Sequence, residues 1–239
     1  MGAGSTTDAI FGGRVAIAQP ARGYRVNVDA LLLAAFASEG RRARAAFDLG
    51  AGVGGVGLSL LHLDAAAHVT MIEIDEDLAR FAERNAEANG WASRVSVVCS
   101  DVARVAPGAA DLVVCNPPYF APGRGRPASG ARARSRSGSL ETFLDAARRA
   151  AGRRARVCFV YPANETTTLL SALRARGLEP KRLRAVHGRP GASARVVLVE
   201  SVAGKAGGLA VAPPLVETDA LGRGGVVTMS EEIATLLRR

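Results

Sequence analysis

The sequence has few lysines, few aromatic residues, three cysteines and no long apolar run, and together these shortages limit the kinds of protein it can be. No stretch of about eighteen apolar residues is present, so we expect no membrane-spanning helix. The first residues lack the charged-then-apolar pattern of a secretory signal, so we expect a cytoplasmic protein. With aromatic residues at 5% and apolar residues at 48%, the core must consist mainly of Ala, Val and Leu.

Cysteine and histidine are too few and too scattered to suggest a metal site. Cys99, Cys115 and Cys158 show no CxxC spacing, which argues against both a disulfide framework and a zinc site. Each cysteine follows a short apolar run, so we predict that all three are small buried side chains. The three histidines form no ligand pair, and we expect no metal.

Positive charge comes almost entirely from arginine. The formal net charge is +9, and only Lys181 and Lys205 are lysines. A GC-rich genome also favours arginine, but a surplus of this size still favours a polyanionic partner such as RNA. A Gly/Arg/Ser/Pro-rich stretch at 117–139 has the length of a functional or disordered loop. We predict that its arginines contact RNA, namely Arg124, Arg126, Arg132, Arg134 and Arg136.

Short apolar runs alternate with helix-like segments from residue 45 onward, which predicts βαβ units and a parallel sheet. The predicted strands are 45–48, 69–74, 95–99, 111–115 and 157–161, and the predicted helices are 56–62, 76–89, 140–151 and 166–176. Two further runs, 183–186 and 195–200, flank a Gly-Arg-Pro-Gly turn and predict an antiparallel last pair. The expected fold is therefore α/β, with a mostly parallel seven-stranded sheet.

The two ends of the chain predict smaller additions to this domain, which we place at residues 45–200. In residues 1–44 we predict a loose start, a hairpin around Gln19-Pro20 with strands at 14–18 and 23–26, and a helix capped by Asp29. Residues 201–239 predict an irregular extension in which Ser230 caps a last short helix.

A glycine-rich loop joins the first strand of this domain to its helix. Asp48 precedes it, and Gly50, Gly52 and Gly54 would let a ligand approach the backbone at the start of the helix. Together with Gly55, the first two also satisfy the GxGxxG spacing of NAD sites. A pyrophosphate has no use for the carboxylate of Asp48, whereas a cofactor with a positively charged amino group does.

Two more acidic residues follow the next two strands. Glu73 could accept hydrogen bonds from both hydroxyls of a ribose, and Asp101 could accept one from an adenine amine. Because the carboxyl ends of parallel strands meet at one edge of a sheet, Asp48 should lie near both of them.

The most specific motif is Asn116-Pro117-Pro118-Tyr119, directly after the fourth strand. The prolines remove two N–H donors and leave the Asn116 side-chain oxygen and the Pro117 carbonyl as acceptors. A planar amine with two hydrogens fits this pair, and Tyr119 offers a ring on which a flat base can stack. We therefore predict catalysis by Asn116, Pro117 and Tyr119, with Asn116 also near the cofactor.

With this motif, the chain resembles the Rossmann-like class I S-adenosylmethionine-dependent methyltransferases that act on planar nitrogens. Gln19-Pro20, Gly23-Tyr24-Arg25 and 28–33 are similar to the signature of the bacterial tRNA(Val) (adenine-N6)-methyltransferase group. The resemblance covers roughly residues 11–200. It implies S-adenosylmethionine as the cofactor and adenine N6 in tRNA as the acceptor. It also implies that the hairpin and helix of residues 1–44 cover the cofactor site, with roles for Gly23 and Asp29 in the cofactor pocket.

The chain departs from this group at two places. Ala133-Arg134-Ser135-Arg136 stands where relatives often carry Ala-Arg-His-Glu, which leaves the substrate open. Gly152-Arg153-Arg154 replaces a common Pro-Gly-Gly, which indicates a different turn.

Several alternatives remain open at this point. A release-factor glutamine N5-methyltransferase shares the motif, but usually has a helical N-terminal domain for which about 44 residues are too few. A DNA adenine methyltransferase usually needs a target-recognition domain. A catalytically inactive RNA-binding module would leave the acids and the motif unused, and an NAD-dependent oxidoreductase would leave 116–119 unexplained.

Overall fold

The structure is a computed structural model, and it describes residues 4–105, 110–118, 139–204, 206–219, 229–236 and 238. Within these residues no helix is long and apolar enough to cross a membrane.

Helices and strands alternate through most of the described chain. The strands are β1 (Ser5–Ile10), β2 (Val15–Pro20), β3 (Ala43–Leu49), β4 (Ala66–Glu73), β5 (Val95–Cys99), β6 (Ala110–Cys115), β7 (Ala151–Pro162), β8 (Leu178–His187), β9 (Ala194–Ala203), β10 (Ala210–Val211) and β11 (Leu215–Val216). The helices are α1 (Val28–Ser38), α2 (Gly55–His62), α3 (Glu76–Ala88), α4 (Leu140–Ala150), α5 (Thr166–Ala175) and α6 (Glu231–Leu236).

The main sheet has seven principal strands in the order β8-β9-β7-β6-β3-β4-β5. The strands from β7 to β5 in this order are parallel, whereas β9 runs antiparallel to both of its neighbours, as the sequence predicts. Two strands of two residues each, β10 and β11, add to the outer side of β8 and bring the described sheet to nine strands. Both short strands lie in residues 201–239, which we predict to be irregular. β9 also extends into this segment, as far as Ala203.

Successive strand residues point to opposite faces of the sheet, and each face carries its own core. On one face, Ala46, Met71 and Val114 pack with α1, α2 and α3. On the other face, Leu49 and Cys115 join a cluster with α4 and α5. The consequence is that β3 and β6 are buried on both sides, which explains their nearly continuous apolar sequence.

The N-terminal hairpin exists, and β2 confirms its predicted strand at 14–18, but the predicted partner strand at 23–26 is wrong. β1 pairs antiparallel with β2, from Ser5–Pro20 to Ile10–Val15. The turn lies at 11–14, where Phe11, Gly12 and Gly13 all have positive φ. Pro20 ends a strand instead of making the turn.

Asn85 of α3 and Asn89, which directly follows α3, dock this hairpin onto the domain. Asn85 accepts from the Ala18 N–H at 2.8 Å and donates to the carbonyls of Ala18 and Val53 at 2.9 Å each. Asn89 makes the same pair of bonds with Ala16. The two side chains thus satisfy β2 as a neighbouring strand would, and Asn85 ties it to the glycine-rich loop.

Residues 21–27, which we call the strap, connect β2 to α1. The Gln19 side chain is buried, and its Oε1 accepts from the Val26 N–H at 2.9 Å. The side chain of Asn27 caps α1 by accepting from the Ala30 N–H, so the predicted cap at Asp29 is wrong. At the other end of the chain, Ser230 accepts from the Ile233 N–H, so the predicted last helix with its cap is confirmed.

The burial predicted for the cysteines holds for two of the three. Cys115 and Cys158 are buried, whereas Cys99 is exposed because β5 is the last strand on its side of the sheet.

Candidate active site

Most of the predicted site residues that the structure describes lie at the edge where the parallel strands β3 to β7 end, which we call the carboxyl edge. Leu49 is the register partner of both Ile72 and Cys115. The next residues along β3 and β6 are Gly50 and Asn116, so the glycine-rich loop and the Asn-Pro-Pro motif begin side by side. Ligands of open α/β sheets bind at such an edge.

Asp48 is almost fully buried and stabilises the start of α2. Its Oδ2 accepts from the Gly57 N–H at 2.8 Å. The residue at the N-cap position, Gly54, has no side chain that could do this. A carboxylate here also interacts favourably with the helix dipole. Asp48 therefore has a structural role in addition to its predicted ligand contact.

Glu73 is buried at the end of β4 and accepts two backbone N–H groups. Its Oε2 accepts from Gly52 at 2.8 Å and its Oε1 from Asp75 at 2.9 Å. Asp75, and not Glu73, caps α3 by accepting from the N–H groups of Asp77 and Leu78. The Glu73 carboxylate is thus fixed against the glycine-rich loop and remains able to accept further hydrogen bonds.

The three predicted loop glycines, Gly50, Gly52 and Gly54, all have positive φ, which side-chain-bearing residues rarely adopt. Gly57 is needed for space instead, because a β-carbon there would lie 2.6 Å from Cε of Met71 and 3.2 Å from Oδ2 of Asp48. A larger residue at this position would disturb the cap of α2.

Burial makes both carboxylates unusual acids. Desolvation is the largest effect on Asp48 and, with repulsion from Glu73, raises its pKa to about 7 against the hydrogen bond from Gly57. Desolvation also raises the pKa of Glu73, opposed by the N–H groups of Asp75 and Gly52. A positive group or a hydroxyl donor placed between these acids would relieve the cost of their charge, so the site suits such a ligand.

Among the remaining predicted residues, the structure describes Asp101, Asn116 and Pro117. Asp101 is half-buried and accepts from the Ala103 N–H at 2.9 Å. Asn116 is half-buried and Pro117 is buried. Tyr119 lies outside the described residues, as do Arg124, Arg126, Arg132, Arg134 and Arg136.

Asp29 is held by an ion pair that sequence reasoning did not predict. Both carboxylate oxygens receive hydrogen bonds from Arg195 of β9, at 2.6 and 3.1 Å. The same guanidinium reaches Glu217 at 2.5 Å. Asp29 therefore joins the start of α1 to β9, and its predicted cofactor contact stays a prediction.

Two side chains at this edge were missed as site residues. Tyr24 of the strap lies over Gly52, and a β-carbon built on Gly52 would be 2.3 Å from its Cζ and Oη. Ile74 directly follows Glu73 and is 43% exposed, so it offers an apolar surface next to this carboxylate. The Gly-Tyr-Arg sequence contained the first signal, but only the fold brings Tyr24 to the loop.

A separate cavity of about 390 Å³ lies between the end of α1 and α6. Three of its lining side chains are acidic, namely Glu39, Glu231 and Glu232. Their charge disfavours a polyanion, and none of them belongs to the carboxyl edge.

Comparison with known proteins identifies this architecture. Residues 27–131 match the family model "Methyltransferase small domain". A tRNA1(Val) (adenine(37)-N6)-methyltransferase of Shewanella halifaxensis is 33% identical over 195 residues, which is 77% of this chain and 71% of the relative. The enzyme with the same name from Tolumonas auensis is 27% identical over 73% of this chain and 75% of its own length.

The chain belongs to the methyltransferase family of these relatives. It is thus an enzyme that depends on S-adenosylmethionine. A solved structure from Agrobacterium tumefaciens, described as a predicted O-methyltransferase, is similar to this methyltransferase with a TM-score of 0.67 and 25% identity. It covers 87% of this chain and 94% of its own, which confirms the Rossmann-like class I fold.

The pKa of Asp48 gives this methyltransferase a testable pH dependence. Above about pH 4 the unfolded chain loses the proton of this carboxyl, whereas the native state keeps it until about pH 7. The native state binds more protons in this window, so its stability falls as the pH rises. Asp48→Asn should remove this part of the slope and raise the free energy of unfolding at pH 8 by roughly 1–3 kcal/mol in urea titrations.

Asp111→Asn is the matched control, because the contribution of Asp111 to stability changes with pH in the opposite direction. Desolvation of Asp111 is outweighed by hydrogen bonds from Arg44 and the Ala45 N–H, so its pKa is lowered. Its contribution to stability is present above the unfolded pKa and is lost as the pH falls. Equal pH slopes for the wild type and Asp48→Asn would refute the raised pKa.

Proposed function

We propose that this methyltransferase transfers a methyl group from S-adenosylmethionine to the exocyclic N6 amine of an adenine in tRNA. The observation that carries the proposal is the junction of the glycine-rich loop with the Asn-Pro-Pro motif at the register pair Leu49–Cys115. Donor and acceptor groups must lie within a few ångströms for transfer, and this junction provides neighbouring places for both. The curated relatives that bear the name of a tRNA adenine-N6 methyltransferase support the acceptor.

S-Adenosylmethionine supplies an electrophilic methyl group on a positively charged sulfur. The residues of this chain would orient the acceptor: Asn116 Oδ1 and the Pro117 carbonyl would accept hydrogen bonds from the two N–H groups of the amine, and Tyr119 would stack on the base. The nitrogen lone pair would then face the methyl group, and on transfer the electron pair of the broken C–S bond would stay on sulfur. The extra proton leaves to water after transfer, so no strong base is required.

For the cofactor, we assign each part of the carboxyl edge one contact. Gly50, Gly52 and Gly54 let it approach the backbone, and Asp48 pairs with its amino group. Glu73 accepts from the ribose hydroxyls. We assign the adenine amine to Asp101, with Ile74 as an apolar face for the ring and Asn116 near the methyl group.

For the RNA, we propose that the arginines of 117–139 contact phosphates close to the transferred methyl group, since they directly follow the catalytic motif in the chain. A tRNA substrate also makes the cytoplasm the place of action. Metal ions have no step in this chemistry. We keep the division into residues 1–44, 45–200 and 201–239 as a working description of the domains.

The experiment is methyl transfer with isotope-labelled S-adenosylmethionine into tRNA from a strain that lacks this gene, followed by nucleoside analysis. We expect label in N6-methyladenosine. Asn116→Ala should reduce turnover by at least roughly a hundredfold, because one preorganised polar partner of the transition state is lost. Cofactor affinity, measured by calorimetry, should change little. Tyr119→Phe should be mild and Tyr119→Ala severe, because stacking needs only the ring.

Asn164→Ala is the matched control, since Asn164 is exposed and follows β7 at the same carboxyl edge. It should leave turnover unchanged. Label in a release-factor glutamine and not in RNA would replace the proposal with the alternative acceptor. Binding of RNA without any transfer would favour the inactive binding module, and near-normal turnover of Asn116→Ala would leave the motif a rigid turn.

The arginine segment makes a separate prediction about salt. If its side chains contact phosphates, replacing Arg124, Arg126, Arg132, Arg134 and Arg136 by Gln should weaken tRNA binding. The slope of log K against log salt should decrease by about 0.9 for each contact to a double-stranded region. Replacing Arg153 and Arg154, both exposed near the start of β7 at the opposite end of the sheet, is the control. An unchanged slope would rule out the segment as the RNA contact.

A further inference from the structure

The strap is fixed at both of its ends. At its start, the Ala21 N–H donates to the Gly4 carbonyl at 2.7 Å. At its end, Val26 is bound by Gln19, and a β-carbon on Gly55 would lie 2.9 Å from its Cγ2. These contacts hold the backbone beside the glycine-rich loop and leave Tyr24 between two anchored ends.

The side chain of Tyr24 is less constrained than the two anchored ends of the strap. A β-carbon built on Gly52 would lie 2.3 Å from the Cζ and Oη of Tyr24, yet Tyr24 is 39% exposed. No hydrogen bond joins the Tyr24 hydroxyl to another residue in the part of the chain that is described. The contact atoms form the far end of the ring, so a rotamer change can move them away from Gly52 without moving the strap.

Gly52 belongs to the loop to which we assign the cofactor. Gly52 donates its N–H to Glu73, and its loop starts two residues after Asp48. Desolvation, followed by the charges of Asp48 and Glu73, raises the pKa of the Tyr24 phenol. The phenol therefore stays protonated and remains a hydrogen-bond donor.

We propose that Tyr24 gates the cofactor site: its phenol rests on Gly52 of the loop, and S-adenosylmethionine must displace it to reach the loop backbone. The ring then closes over the bound cofactor. This inference rests on the assignment of the cofactor to the carboxyl edge. If only a small fraction of the molecules have the gate open, the apparent affinity for the cofactor is reduced by that fraction. Removing the gate should raise the association rate constant by the same factor.

The test measures binding kinetics of S-adenosylhomocysteine to the immobilised full-length protein by surface plasmon resonance. Tyr24→Ala should increase the association rate constant by up to about tenfold and should also speed dissociation, because gate and cover are both lost. Tyr24→Phe keeps the ring and should associate like the wild type. Arg22→Ala is the matched control, since Arg22 is an exposed strap residue without a role in the gate.

Hydrogen exchange of the wild-type protein gives a second readout that needs no variant. Ligand should change the protection of residues 21–27 together with that of 50–57. Unchanged association and dissociation in a folded Tyr24→Ala protein, with normal wild-type binding, would overturn the gate alone. Failure of the wild type to bind S-adenosylhomocysteine would overturn the cofactor site and the gate with it.

Discussion

Two hydrogen bonds between buried carboxylates and backbone N–H groups support the rest of the site. Asp48 accepts from Gly57 and Glu73 accepts from Gly52, each at 2.8 Å, so that the loop between them is held from both sides. A charged carboxylate in this position is costly, and the pKa of Asp48 near 7 shows the cost. A ligand that brings positive charge or hydroxyl donors reduces it, so the same bonds that shape the loop also prepare it for a cofactor.

The second half of the site depends on strand register. Because Leu49 pairs with Cys115, the loop on β3 and the Asn-Pro-Pro motif on β6 start at the same level of the sheet. The methyl donor and its acceptor can then be presented by two neighbouring strands that are buried on both faces. Rigid strands suit this task better than loops, since transfer depends strongly on the distance between the reacting atoms.

Much of the fold and the predicted site could be read from local patterns, because apolar runs, glycine stops and acidic strand ends are local signals. The mostly parallel seven-stranded sheet with its antiparallel last pair and the positions of Asp48, Glu73 and the loop glycines belong to this part. What failed depended on distant or competing signals. Asn27 competes with Asp29 as a cap, and the true partner of Asp29 is Arg195, 166 positions away. Gly12-Gly13 marks the hairpin turn, but Gln19-Pro20 is an equally good turn signal by itself. Tyr24 lies over Gly52 because of the tertiary arrangement in which the hairpin packs on Asn85, and no local pattern indicates this arrangement.

A crystal structure with bound S-adenosylhomocysteine is the most direct test of the central claim that the carboxyl edge between Asp48 and Glu73 is the cofactor site. The account predicts ribose hydroxyls within hydrogen-bond distance of the Glu73 carboxylate and the amino group on the side of Asp48. Density for the ligand elsewhere, with the Asp48–Glu73 edge empty, would contradict it.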